Sequence, residues 1–157
     1  MKPDELTNIA TLIRSQRSAA LGTLQDGAPF VSFVAYAPEP DFGGFLLHLS
    51  RLSPHTRHLA NDPHSSLMIA EPDDQRDDVQ TLARITLTGA VASLPHDTPE
   101  YVAARSIYLA RLPAAAMLFD FADFGLYRYI PDGARYVGGF ARAYTLTIKN
   151  LQEAALV

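Results

Sequence analysis

Alternating apolar and polar positions recur along the chain and predict mainly β structure. In the segment 83–94, Ile85 and Leu87 alternate with polar residues, which is typical of a strand with one buried face. Further strands are expected at 19–24, 29–37, 44–50, 65–71, 124–130 and 134–146. Because turns connect most neighbouring strands, the sheet should be largely antiparallel and curve into a small barrel with helices outside.

Two Asp-Gly pairs predict hairpin turns between these strands. Asp26-Gly27 lies between 19–24 and 29–37, and Pro131–Gly133 lies between 124–130 and 134–146. Asp-Gly flanked by β-branched and aromatic residues is a strong short-range hairpin signal. We therefore expect two hairpins, the second one interrupted again at Gly138-Gly139.

Helical spacing predicts elements around the sheet. Leu6, Ile9 and Ile13 form an apolar stripe in a first helix at 4–16. Thr98 can cap a helix that begins at Pro99. The helices expected after the first are 53–61, 98–110, a short piece at 113–118 and a short C-terminal helix at 148–156.

Composition limits the classes of function. The 157 residues suit a single domain, 1–157, and the absence of cysteine excludes disulfides, thiolate metal sites and a cysteine nucleophile. A net charge of −4 argues against a nucleic-acid partner.

No run approaches the ~18 apolar residues of a membrane span, and the N-terminus lacks a signal-peptide pattern. We expect a cytoplasmic protein with no membrane partner. Hydrolase-elbow, Walker and GxGxxG motifs do not occur.

The segment 46–63 carries positive charge in an acidic protein. No Asp or Glu occurs between Asp41 and Asp62, and the cations Arg51 and Arg57 flank a Ser-Pro helix start. Cations in a first helical turn oppose the helix dipole unless an anion binds there. Two interpretations remain open from the residues alone, a phosphate-type anion site and an ordinary surface turn. The nearby hydroxyls are those of Ser50, Ser53 and Thr56.

Other candidate chemistry is less specific. The histidines at 48, 55, 58 and 64 match no metal-ligand spacing, so no metal site is assigned. The acidic run 71–78 is interpreted as a solvated loop, with a Ca²⁺ or Mg²⁺ site as the alternative. Asp120 and Asp123 suit capping better than acid/base work. Core or dimer packing, or else ring stacking, explains the aromatic series Phe119, Phe121, Phe124, Tyr127 and Tyr129.

Four stretches together resemble a known family. They are LGTLQDGAPFVSFVAYA, GFLLHLSRLSPHTRHLANDPHSSLMI, ARITLTGAV and LYRYIPDGARYVGGFARA. In this order they look like the FMN-binding split-barrel superfamily related to pyridoxamine 5′-phosphate oxidase, and most closely its heme-utilisation-like branch. The resemblance covers roughly residues 8–146, and HTRHLANDPHSSLMI and RYVGGFARA are its specific segments.

The resemblance implies a six-stranded antiparallel FMN-binding split barrel with flanking helices. It also implies a homodimer with FMN at two sites across the subunit interface. Carried over by position, the family's basic phosphate-binding pair falls on His55 and Thr56, and its polar position near the flavin falls on Arg84. The full set of candidate cofactor-binding residues is Ser32, Val34, Ala35, Tyr36, Ser50, Arg51, Ser53, His55, Thr56, Arg57 and Arg84.

The departures from the family shape the functional hypothesis. The oxidase's C-terminal Arg-x-His motif is replaced by RYVGGFARA, which argues against vitamin B6 oxidation. Heme-utilisation proteins usually continue into a second domain, whereas this sequence ends at Val157, so heme degradation is not the leading expectation.

The leading hypothesis is an FMN-dependent oxidoreductase of unknown substrate. No catalytic residue is assigned, and a proton could come from solvent, Tyr36 or a histidine. The alternatives are a non-catalytic flavin- or heme-binding module and a structural dimer that has lost its ligand.

Overall fold

One antiparallel sheet dominates the computed structural model, which describes residues 1–157. Its eight strands are β1 Ser18–Gln25, β2 Ala28–Ala35, β3 Ala37–Pro38, β4 Phe45–Ser50, β5 His64–Ala70, β6 Arg84–Leu94, β7 Phe124–Val137 and β8 Ala143–Leu146. The strand order is β2-β1-β5-β6-β7-β4-β3, with β8 paired to β7. The expected mainly-β antiparallel architecture is confirmed, but the sheet has eight strands rather than six.

Four α-helices flank the sheet. They are α1 Pro3–Ser15, α2 Pro54–Asn61, α3 Pro99–Arg111 and α4 Ile148–Ala155. Two 3₁₀ segments, Val79–Thr81 and Pro113–Asp120, complete the chain's regular structure. Thr98 caps α3 as predicted, since its side chain accepts a hydrogen bond from the backbone N–H of Tyr101.

The predicted turn at Pro131–Gly133 is wrong. β7 runs without a break from Phe124 to Val137, because it pairs with β6 on both sides of this segment. The pairing register shifts between Thr88 and Gly89, which absorbs an extra residue as a β-bulge does. A side chain at Gly89 would collide with the carbonyl of Ile130, so the bulge requires glycine there.

The inner face of the sheet holds the main core. Its 24 buried residues include Ile85 and Leu87, so the alternation read from β6 is confirmed. A second, smaller cluster of seven residues lies between α3 and the opposite face of β4, where Tyr101 and Tyr108 pack on Leu46. Helices α2 and α3 lie on different parts of the sheet. Helix α2 contacts β1 and β2, whereas α3 packs beside β3 and β7.

The outer face of β1, β2 and β5 is apolar and uncovered. Phe33 is 83% exposed, Val31 67% and Met68 39%. The strand register aligns Phe33 with Ala20 and Ala20 with Met68, so these side chains share one face. A contiguous apolar surface of this kind marks an interaction site more often than an ordinary exterior.

Candidate functional site

Helix α2 begins with unusual electrostatics. Ser53 occupies the N-cap position, but its side chain makes no capping hydrogen bond, and the first turn contains no acidic residue. Pro54 follows at the first helical position. An uncapped helix start presents free N–H groups and the positive end of the helix dipole, so it favours an anion.

Three of the predicted residues line one cavity beside this helix start. The cavity has a volume of about 360 Å³ and is lined by Arg51, Thr56, Arg57, Leu59, Ala60, Val91, Ser93 and Tyr127. Its polar groups are two guanidiniums and three hydroxyls, and the rest of its lining is apolar. Neither arginine forms an ion pair with a carboxylate. The arrangement suits the anionic end of a ligand that also has an apolar part.

Backbone acceptors hold three polar side chains of this cavity in place. The Arg57 guanidinium donates to the carbonyl of Leu52 at 3.0 Å, and the Thr56 hydroxyl donates to the carbonyl of Ser50 at 2.6 Å. The Arg51 guanidinium donates to the carbonyl of Ala122. Each guanidinium keeps unused N–H donors, because arginine carries five.

Two interactions near this turn, one of Ser50 and one of Tyr127, were not predicted from the sequence. Ser50 donates its hydroxyl hydrogen to a carboxylate oxygen of Asp123 at 2.6 Å, so this predicted anion-binding hydroxyl already has an anionic partner. Burial raises the pKa of Tyr127, and the positive charge of Arg51 opposes that shift. The phenol of Tyr127 therefore stays protonated at neutral pH and is a hydrogen-bond donor or acceptor in the cavity.

A second pair of predicted residues meets on the β2 side of α2. His55 Nδ1 lies 3.1 Å from the Ser32 hydroxyl, and one turn later His58 Nδ1 lies 3.0 Å from the Thr23 hydroxyl. Burial lowers the pKa of His55 below its ordinary value, and the positive charge of His58 adds to this effect. His55 is therefore a neutral imidazole with its Nδ1 held, and this is the form in which histidine binds a metal.

The remaining predicted residues lie elsewhere. Tyr36 is fully buried, and its hydroxyl donates to the carbonyl of Ile13 at 2.7 Å. Its backbone N–H donates to the carbonyl of Arg17. This phenol is therefore excluded as a proton donor. Val34 belongs to the main core, and Ala35 is exposed beside it at the end of β2.

Arg84 is far from α2 within one chain. Its guanidinium donates to the carbonyls of Gln80 and Leu82, at 2.9 and 3.1 Å. Arg84 is the first residue of β6 and precedes Val91 by seven positions, a path of about 23 Å along the strand at ~3.3 Å per residue. One subunit therefore does not bring Arg84 to the cavity.

The histidines do not assemble a metal site. No group of three or more histidine, aspartate or glutamate side chains is placed to hold a metal ion. None of the helices is long and apolar enough to cross a membrane.

The comparison with known families agrees with the fold. Residues 3–152 match the family model described as CREG, beta-barrel, and the chain belongs to this family. The fold also matches that of a Clostridium acetobutylicum protein of the pyridoxinephosphate oxidase family, with a TM-score of 0.71 at 17% identity over 96% of this chain and 99% of that one. The predicted split-barrel resemblance is thus confirmed.

Relatives of this chain are named for heme. The chloroplastic non-canonical heme oxygenase HOZ of Arabidopsis thaliana is 35% identical over 139 residues, which are 87% of this chain and 41% of that protein. The heme oxygenase HutZ of Vibrio cholerae is 27% identical over 144 residues, 89% of this chain and 80% of that protein. A solved heme binding protein from Mycobacterium smegmatis is 30% identical with a TM-score of 0.85, over 98% of this chain and 62% of that one.

Proposed function

We propose that this protein binds heme, with the anionic side groups of the ligand at the cavity beside α2. The observation that carries the proposal is the pair of guanidiniums of Arg51 and Arg57, neither of which has a carboxylate partner, above an apolar lining. Heme combines two carboxylates with a large apolar ring, so it needs both kinds of surface. The heme-related names of the relatives support this ligand over others with the same charge.

His55 is the imidazole that we propose for heme iron; it does not line the cavity itself but directly precedes Thr56, which does. Its ring is neutral, and Ser32 holds Nδ1 while Nε2 has no partner within the protein. A neutral imidazole with one nitrogen held by a hydrogen bond is well prepared to donate its other nitrogen to iron. Heme, when bound, would supply the iron-centred redox chemistry, and the protein would bind and orient it.

FMN is the second candidate, because one feature favours a phosphate. The uncapped start of α2 offers backbone N–H groups beside the Thr56 hydroxyl, and no acid in its first turn repels a dianion. With FMN, the function would be that of a flavoprotein, and an FMN-dependent oxidoreductase of unknown substrate in particular.

A second copy of the chain would complete the site. A volume of about 360 Å³ is at the small end of ligand cavities and takes only the anionic part of a heme or flavin. The exposed residues Val31, Phe33 and Met68 give the sheet an apolar outer face. We propose that two subunits pair through this face and that residues of the partner cover the ring of the ligand.

Titration of the purified protein with hemin and, separately, with FMN tests the proposal. We expect a shifted Soret band with hemin, and about tenfold or greater loss of affinity in an Arg51→Ala/Arg57→Ala variant, since charge-assisted hydrogen bonds are lost. A Lys2→Ala/Arg17→Ala variant changes the net charge equally and should bind hemin normally. Yellow protein with absorbance near ~450 nm would instead support FMN. Equal hemin binding by both variants would contradict the proposed site.

A further inference from the structure

A second cavity lies on the other flank of α2, towards the β1–β2 turn. Its volume is about 410 Å³, and its lining residues are Leu24, Gln25, Asp26, Phe30, Pro54, Arg57, His58 and Asn61. It shares only Arg57 with the candidate heme cavity. A function for this space goes beyond the proposed function, although both sites would use the Arg57 guanidinium.

His58 is a buried and firmly held component of this second cavity. The residue is only 7% exposed, its Nδ1 is hydrogen-bonded to the Thr23 hydroxyl, and Thr23 is itself 2% exposed. The ring of Phe30 packs edge-on against the imidazole, with the centroids 5.1 Å apart. Nε2 has no partner within the protein, although the residue lines the cavity. A buried imidazole is thus fixed in place with one nitrogen still available.

The cavity also presents unpaired charges of both signs. The exposed Asp26 carboxylate makes no side-chain hydrogen bond or ion pair, and the Arg57 guanidinium is bonded only to a backbone carbonyl. The two opposite charges line the same cavity without pairing with each other. A ligand that bridges them must therefore carry both a negative group and a positive group.

We propose that this cavity binds a small zwitterion, of which a free α-amino acid is the simplest example. The carboxylate would be held by Arg57, His58 Nε2 and the amide of Asn61, and the ammonium group by Asp26. The apolar part of the ligand would contact Phe30, and the other apolar lining residues are Leu24 and Pro54.

The hydrogen bond to Thr23 sets the role of His58. When the Thr23 hydroxyl donates to Nδ1, Nε2 carries the ring proton and donates into the cavity. A bound carboxylate selects this form, because only a donor at Nε2 stabilises it. Binding should therefore perturb the His58 ring nitrogens more than those of His48, whose ring packs against Tyr108 of α3.

Calorimetric titration with glycine, L-alanine and L-leucine tests this assignment, with acetate and ethylamine as single-charge probes. We expect a dissociation constant of about 0.1–10 mM for at least one amino acid, the affinity of a few charge-assisted hydrogen bonds. The single-charge probes should bind about tenfold more weakly or more. Imidazole ¹⁵N NMR should show the His58 signals moving during the same titration.

Two variants locate the site without touching Arg57. Asp26→Asn keeps the turn, because asparagine tolerates the positive φ of 51° at this position, and it should lower amino-acid affinity about tenfold. Asp97→Asn removes the same charge from an exposed position outside the cavity and should bind normally. Thr23→Val/His58→Phe keeps an aromatic ring and leaves no buried hydroxyl unpaired, and it should also weaken binding.

Clear results would overturn the assignment. No heat with any of the three amino acids, or equal affinity in Asp26→Asn and Asp97→Asn, rules out a zwitterion site here. Hemin titration of Asp26→Asn provides the independent measurement, because Asp26 does not line the heme cavity. Unchanged hemin binding together with lost amino-acid binding supports a distinct amino-acid site. If wild type does not bind hemin, the proposed function is wrong, and the amino-acid titration still decides the zwitterion site.

Discussion

Helices α2 and α3 both place aromatic or histidine rings against the sheet, but they give histidine opposite surroundings. On the α2 side, His55 and His58 each have a hydroxyl group at Nδ1, from Ser32 and Thr23. Under α3 and the adjoining 3₁₀ segment, the His48 ring packs against the rings of Tyr108, Phe119 and Phe124. Phe119 stacks on it with a centroid distance of 3.8 Å and an interplanar angle of 9°.

The difference separates histidines that suit ligand chemistry from one that suits only packing. A hydroxyl at Nδ1 fixes the ring and leaves Nε2 for another group. His48 instead has a buried Nδ1 with no partner, and desolvation, with a smaller contribution from His96, lowers its pKa to about 4. His48 therefore contributes to stability while it is neutral and opposes folding once it is protonated.

The largest expected effect comes from removing a hydroxyl-bonded histidine. His58→Ala leaves the buried Thr23 hydroxyl without a partner and opens a void beside Phe30. We expect a loss of about 2–3 kcal/mol in the free energy of unfolding, measured by urea denaturation.

His64→Ala is the matched control for this change. His64 pairs only with Asp62 in an exposed position, so its removal should cost less than about 0.5 kcal/mol. If the two variants have the same stability, then the hydrogen bond to Thr23 contributes nothing, and the contrast between α2 and α3 has no energetic basis.

An intermediate effect is expected from His48 in acid. Its folded-state pKa of about 4 lies below the ordinary 6.5, so the unfolded chain binds the proton more tightly. The stability contributed by neutral His48 is complete above pH 6.5 and is lost progressively as the pH falls towards 4. Between pH 7 and pH 5, wild type should therefore lose about 1 kcal/mol more than His48→Phe, after allowance for solvent screening.

Urea denaturation at the two pH values measures this difference. Phenylalanine preserves the stack on Phe119 and removes the titrating group, so neutral-pH stability should be kept or improved. An identical pH dependence for wild type and His48→Phe would show that the unpartnered nitrogen is solvated in the folded protein.

Local sequence signals account for most of the fold. The alternation in 83–94 located β6 to within one residue, and Thr98-Pro99 located the start of α3. The wrong prediction of a turn at Pro131–Gly133 also has a physical cause. Those residues carry a turn signal, but pairing with β6 on both sides keeps them in one strand, and a local pattern contains no information about that distant partner.

From residue patterns alone, the site was predictable only where its residues are neighbours in sequence; the family resemblance added the pair Ser32 and His55, which lie 23 positions apart. Arg51, Thr56 and Arg57 belong to one turn and helix, and they do line one cavity. The approach of Asp123 to Ser50 joins residues 73 positions apart, and Val91, Ser93 and Tyr127 come from other strands. No spacing rule connects such groups, because their proximity follows from the strand register.

The smallest effect tests whether the two α2 histidines act on each other. Burial is the larger cause of the lowered pKa of His55 and the charge of His58 the smaller, so Thr23→Val/His58→Phe should raise the pKa of His55. A ¹H NMR pH titration of the His55 ring measures it, with His48→Phe as the control that should leave His55 unchanged. An unaltered pKa in the double variant would mean that burial alone keeps His55 neutral. In that case its readiness to bind iron would depend on Ser32 and the local packing, and no longer on its neighbour one turn away.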